Sequence, residues 1–151
     1  RFDGFTVLKA LTVDYLDLQL TKNCRVEMKL LPAGDSLNYI CLSRTYSGPV
    51  PESVVELYTA DWREMPGAEW IPRPAYADFW TEHDSVDAEE AERLQRLQDM
   101  RFVQASLQPD DMRLTYTLQP GEVEKEEAGR MEELLRPVVY EWDGRRFERV
   151  E

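Results

Sequence analysis

From Tyr15 to Leu20 apolar and polar residues alternate, Tyr15-Leu-Asp-Leu-Gln-Leu20, which is the period of a half-buried strand. After Thr21-Lys22-Asn23 the alternation resumes as Cys24-Arg-Val-Glu-Met-Lys-Leu30. Antiparallel partners share a face, so the pattern predicts a hairpin pairing Leu20 with Cys24, Leu18 with Val26 and Leu16 with Met28. Gln19 and Arg25 then face the other way. Asn23 falls in the three-residue loop where a left-handed conformation is wanted.

A turn at Pro32-Ala-Gly-Asp-Ser36 leads to a third strand, Asn38 to Tyr46, broken by Gly48-Pro-Val-Pro51. Ser53 to Tyr58 reads as a short strand ending in Thr59-Ala-Asp-Trp62. The stretch from Arg63 to Asp84 contains Trp70-Ile-Pro-Arg-Pro-Ala-Tyr-Ala-Asp-Phe-Trp80. Its prolines remove donors and fix the backbone, so it reads as an ordered connection and not a central strand. Ser85 is placed to cap a helix running to about Asp99, with a thin apolar stripe of Val86, Ala88, Ala91, Leu94 and Leu97. A one-sided helix of this kind lies on a sheet face.

The last third repeats the strand logic. Phe102 to Leu107 and Met112 to Leu118 predict a hairpin with Leu107 opposite Met112 and Ala105 opposite Leu114. Val123, Ala128, Met131, Leu134 and Leu135 recur at helical spacing until Pro137 stops them. Val138 to Trp142 and Phe147 to Val150 close the chain as a hairpin around Asp143-Gly144. The expectation is therefore a single α+β domain over residues 1–151, an antiparallel sheet of successive hairpins with two amphipathic helices. Two halves, 5–62 and 101–151, look loosely alike, joined by the proline and aromatic connection and a helix within 63–100. Leu20…Arg25…Leu30-Leu31-Pro32 matches Leu107…Arg113…Leu118-Gln119-Pro120, and Asp61-Trp62 matches Glu141-Trp142. Either a duplication pairs the halves edge to edge in one sheet, or strand patterns are simply resembling one another.

Composition narrows the function. With 151 residues, 42% apolar and 32% charged, the chain can bury a core unaided. A net charge of −12 repels phosphate backbones and anionic lipid, and the 18 Lys and Arg form no stripe, so no nucleic-acid partner is expected. No apolar run approaches the ~20 residues that span a bilayer. Cys24 and Cys41 fall on neighbouring strands, offset, and read as unpaired thiols. His83, in Trp80-Thr-Glu-His-Asp84, is the single histidine; with Glu82, Asp84 or Asp87 it is a candidate base or ligand, weighed against a solvated residue before a helix cap. No second imidazole accompanies it and no glycine cluster cradles a phosphate, so no metal and no cofactor are expected. The acids at Asp87, Glu89, Glu90 and Glu92, and at Glu122, Glu124, Glu126 and Glu127, read as wetted helix faces. The candidate ligand-binding residues are Trp70, Tyr76, Phe79 and Trp80, rigid aromatics able to stack on a sugar or anchor a peptide. The competing reading is that they fold back over the sheet as core.

Tyr15-Leu-Asp-Leu-Gln-Leu20, Val26-Glu-Met-Lys-Leu-Leu31, Tyr39-Ile-Cys-Leu42, Leu57-Tyr-Thr-Ala-Asp-Trp62 and Tyr140-Glu-Trp142…Arg146-Phe147 resemble a family of small secreted Bacteroidales proteins, a domain of unknown function. The resemblance covers most of the chain. It implies a periplasmic or cell-envelope location, with a leader and helical sequence lost before Arg1, and it supplies no catalytic residues. The leading expectation is a non-enzymatic extracytoplasmic binding or interaction module with a protein, peptide or glycan partner. Alternatives are a carrier holding a lipid-like molecule between helix and sheet, and a carboxylate-based hydrolase.

Overall fold

A computed structural model describes residues 6–34, 37–48, 52–80, 89, 102–119 and 125–150. Among these, nine strands make two antiparallel sheets. Strands β1 (Val7–Leu11), β2 (Tyr15–Thr21), β3 (Cys24–Pro32), β4 (Asn38–Tyr46) and β5 (Glu52–Tyr58) follow one another in a five-stranded meander. Strands β6 (Phe102–Leu107), β7 (Arg113–Gln119), β8 (Val138–Trp142) and β9 (Phe147–Val150) form a second meander of four. A short 3-10 turn at Tyr76–Phe79 and one α-helix, α1 (Lys125–Leu134), complete the described elements. The two halves therefore build separate sheets instead of joining edge to edge in one. Helix is sparser than expected, and the helix predicted from Ser85 to Asp99 lies outside the described residues except at Glu89, which is helical and exposed.

Several registers follow the hydrophobic pattern. Leu18 pairs with Val26 and Leu16 with Met28, as the alternation requires. The turn differs: a bulge at the end of β2 brings Thr21, not Leu20, opposite Cys24. Asn23 does not adopt the left-handed conformation; Trp62 is the non-glycine residue with positive φ among those described. In the second sheet Leu107 pairs with Leu114 and Ala105 with Tyr116, two residues beyond the expected register. A slip of two keeps every side chain on its face, so the buried set survives it. The closing hairpin forms as expected. Gly144 takes positive φ, and the Asp143 carboxylate accepts from the amides of Arg145 and Arg146 at 2.8 and 2.9 Å. Strand β1 was not foreseen, because Val7-Leu-Lys-Ala-Leu11 does not alternate and carries a bulge between Leu8 and Ala10.

The sheets meet through an edge, and this settles which face of the first sheet is inside. β6 pairs with β7 on one side only, so its other edge presents unpaired amides and carbonyls. That edge lies over the first sheet, whose side chains satisfy it. The Ala105 amide donates to Ser53 Oγ at 2.9 Å, and Ser43 Oγ donates to the Ala105 carbonyl at 2.8 Å. Leu107 N–H donates to Glu27 Oε1 at 3.4 Å, and Lys29 Nζ donates to the Pro109 carbonyl at 3.0 Å. Apolar residues fill the spaces between these contacts: Leu31, Cys41 and Leu57 are fully buried from the first sheet, with Leu107, Leu114, Tyr116 and Leu118 from the second. Trp142 joins the two, donating its indole N–H to the Pro32 carbonyl at 2.6 Å and meeting Tyr39 edge-on.

Candidate functional site

The inner face of the five-stranded sheet is thus the face that the polar residues occupy. Tyr15, Asp17, Glu27, Lys29, Ser43 and Thr45 all point inward and are buried. Leu31 and Leu57 share that inner face, while Leu8, Leu11, Leu16, Leu18, Leu30 and Leu42 lie on the outer one. Cross-strand pairing lays the outer residues out in rows. One row runs Leu8, Leu18, Val26, Arg44, Val54; the next runs Leu11, Leu16, Met28, Leu42, Glu56; a third has Leu30, Ile40 and Tyr58. Exposure concentrates at two borders. Leu8 and Leu11 on β1 are 53% and 67% exposed, and Val13 beyond them is 97% exposed; Val54 and Trp62 at the β5 side are 40% and 56% exposed. Trp62, held at φ 65°, leans on Tyr58 with ring centroids 5.6 Å apart. Between these borders Val26 and Ile40 are buried, so the exposed apolar surface is that of the two borders, and exposed apolar clusters of this kind mark a contact.

One polar pair interrupts the outer face. Arg44 and Glu56, neighbours on β4 and β5, form an ion pair, and Tyr58 donates its hydroxyl to the other oxygen of Glu56 at 2.9 Å. Arg44 Nε is buried without a hydrogen-bond partner among the described residues. A charged pair set among leucines gives a partner one polar point by which to fix its register.

The chemistry of the inner face is that of a sealed network. Asp17 and Glu27 lie opposite one another on β2 and β3. Arg25 grips Asp17 with two hydrogen bonds of 2.9 Å and approaches Glu27 at 3.6 Å. Tyr15 donates its hydroxyl to Glu27 at 2.5 Å. Burial pushes the Glu27 carboxyl above its ordinary range, although Tyr15 and Arg25 pull the other way. Asp17 is held below the ordinary range, chiefly by its hydrogen bonds to Arg25. Their environments push the two acids apart, the pattern that precedes acid–base chemistry. Yet each is committed to structural partners, and Glu27 is only 3% exposed.

The aromatics nominated from the sequence lie against the core. Phe79 is 1% exposed, and Trp70, Tyr76 and Trp80 are half-buried against the same cluster. Trp70 meets Tyr39 edge-on at 6.0 Å, and Trp80 pairs with Tyr76 at 5.9 Å and packs on Met131 and Leu134 of α1. Cys24 and Cys41 are free, on adjacent strands and opposite faces, with Cys41 buried. His83 and its acidic neighbours lie outside the described residues. Among those described, no three His, Cys, Asp or Glu side chains converge as a metal site. No described helix is long and apolar enough to cross a membrane. Alternation groups the outer-face residues on one face of half-buried strands, but exposure cannot be told from burial in a period of two.

Residues 1–147 match a family profile described as protein of unknown function (DUF3256), and the chain belongs to that family. No curated protein matches it. Among solved structures it is similar to a domain of an uncharacterized protein from Porphyromonas gingivalis W83. The match has 24% identity and a TM-score of 0.77, and covers 99% of this chain and 82% of that one. At that identity the likeness concerns the fold.

Proposed function

For this member of the family we propose a binding module that docks a partner protein on the outer face of its five-stranded sheet. The observation that carries the reading is the division of the sheet, with buried polar side chains among the apolar ones on one face and exposed apolar side chains at the borders of the other. Glu27, Lys29, Ser43 and Ser53 on its inner face are spent on β6 and the turn that follows it, and apolar side chains on or beside its outer face stay open at Leu8, Leu11, Val54 and Trp62. The apolar area supplies affinity, and the Arg44–Glu56 pair with the flanking Trp62 supplies orientation. The resemblance to small secreted proteins supports an extracytoplasmic setting for this contact. The carrier reading has less behind it: the apolar cavity beside β1 and β2, between Leu11 and Leu30, is only about 190 Å³, and the one of about 340 Å³ beside β8 and β9 has Arg136 and Arg149 in its wall.

The test is site-specific photo-crosslinking in the native host. A photoreactive residue replaces Leu11 or Val54 on the outer face, and Glu148 of β9 in a control. The reading expects discrete intermolecular adducts from Leu11 and Val54 and none from Glu148. Adducts only to this chain's own residues, or equal adducts from all three positions, would overturn it.

A further inference from the structure

The cavity beside β8 and β9 opens where the chain leaves α1 for the second sheet. It holds about 340 Å³, with Arg136, Pro137, Val138 and Arg149 in its wall. The register explains why a cation and a buried valine stand together there. Arg149 is opposite Tyr140, and Val138 is two residues from Tyr140 on the same strand, so all three share the buried face of β8 and β9. β9 is an edge strand, and the Arg149 side chain stays 35% exposed at that edge.

Both arginines are held, and by the same residue. Arg136 donates from Nε to the Asp78 carbonyl at 3.1 Å and from its backbone amide to the Phe79 carbonyl at 2.8 Å. Arg149 Nη1 lies 3.3 Å from Asp78 Oδ1. The other oxygen of Asp78 accepts from the Ala75 amide at 2.8 Å. Two cations thus flank one acid, and that acid is already divided between Arg149 and the 3-10 turn. Other acids of the sheet are engaged elsewhere: Glu148 with Arg146 at 2.7 Å and Glu141 with Arg113 at 3.1 Å. Pinning the turn to the sheet uses Nε of Arg136 and Nη1 of Arg149. It leaves the terminal nitrogens of Arg136 without an acceptor among the described residues, and a local surplus of one positive charge.

We propose that this cavity binds a small organic acid, its carboxylate taken by Arg136 and Arg149 and its apolar body laid against Pro137 and Val138. Anchorage on Asp78 orders both guanidinium groups before a ligand arrives, which lowers the cost of binding. A dry cavity of about 150 Å³ takes benzene, so this one admits a ring carrying a carboxylate. A single negative charge matches the local surplus, whereas a dianion would bring an excess against a chain of net charge −12. The site is on the second sheet, and the proposal stands or falls apart from the outer-face reading.

The probe is cyclohexanecarboxylate, titrated into the whole chain while backbone amides and arginine Nε–H groups are followed by NMR. Saturable shifts are expected at Val138, Arg149 and the Nε–H of Arg136. Cyclohexanecarboxamide, which keeps the shape and loses the charge, should bind roughly tenfold more weakly, as should the acid to R136Q and to R149Q. Inorganic phosphate, which has charge and no apolar body, should also bind more weakly. R113Q, whose arginine pairs with Glu141 and does not line the cavity, should bind as the wild type does. If R149Q loosens the turn, its ligand-free spectrum will show it, and R136Q and the amide still decide. No saturable shift up to the solubility of the acid would overturn the assignment. So would an amide or a phosphate that binds as well as the acid, or binding that R136Q leaves unchanged.

Discussion

On the inner face of the five-stranded sheet Glu27 and Lys29 of β3 and Ser43 of β4 are almost wholly buried, while on the outer face Leu8 and Leu11 of the edge strand β1 stay more than half exposed. The usual economy of a two-faced sheet, apolar in and polar out, is only half kept here, for Glu27, Lys29 and Ser43 share the inner face with Leu31, Cys41, Val55 and Leu57. The second sheet supplies the reason. A sheet edge brought down on another sheet's face needs hydrogen-bonding side chains beneath it, and serines, a glutamate and a lysine serve where leucines would leave Ala105, Leu107 and Pro109 unsatisfied. The second sheet has no such load on its buried face, and there Leu114, Tyr116 and Leu118 follow the ordinary rule. What a strand's alternation specifies is that its two faces differ. Which of them is inside is decided by the neighbour.

The comparison breaks most easily with two leucine truncations. Leu57→Ala, at a fully buried inner position, should cost about 2–5 kcal/mol by urea unfolding. Leu11→Ala on the outer face should cost no more than about 0.5 kcal/mol. Equal losses would mean that the outer leucines are as buried as the inner ones, and the docking surface would vanish with the difference.

Next in size is Lys29→Met, at about 1–3 kcal/mol, since it removes the donor to the Pro109 carbonyl and the partner of Asp14 at 2.9 Å. Asp14 keeps access to water, which limits the loss. The pH dependence follows in sign. Lys29 holds the Asp14 carboxyl below its ordinary value, so the pair's contribution is present above the unfolded value near 3.8 and fades as pH falls through the folded one. The gap between wild type and Lys29→Met should therefore narrow in acid. A gap constant from neutral pH into acid would show that the lysine works through the carbonyl alone.

Much of this architecture is legible in the sequence, for reasons that also mark where it stops. The strands from Tyr15 to Tyr58 and from Val138 to Val150 are set by a period of two and by turn residues such as Asp143-Gly144, which act locally. The register of β6 on β7 was off by two, because Gln108 to Met112 allows a longer loop and both registers bury the same residues. The number of sheets and the polar residues of the inner face depend on contacts between residues as far apart as Ser43 and Ala105, and no local pattern encodes them. Trp70, Tyr76, Phe79 and Trp80 were legible as a group; their packing on the core and α1 was not.

A smaller effect tests the seating of the β6 edge. Ser53→Ala should lower stability by about 1 kcal/mol, since it leaves the Ala105 amide without its acceptor. Hydrogen exchange should speed up at Ala105 more than at its neighbour Gln104, whose amide faces β7. Protection unchanged at Ala105 would mean that the edge is sealed by burial and not by the serine.

The finest discrimination is a change of slope with pH. Burial raises the folded-state value of Glu27 above its unfolded 4.5, so the protonated acid is the form the inner face prefers. Its contribution is then present in full below the unfolded value and is lost as pH rises through the folded one. Glu27→Gln keeps an acceptor for the Leu107 amide and removes the titration. Relative to wild type the variant should gain stability as pH rises from about 4.5 toward neutrality, the opposite trend to Lys29→Met, whose deficit grows as pH rises out of the acid range. If the two variants instead drift in the same direction, Glu27 is held ionised by Arg25 and Tyr15. The inner face would then be a network of paired charges, with burial the weaker influence.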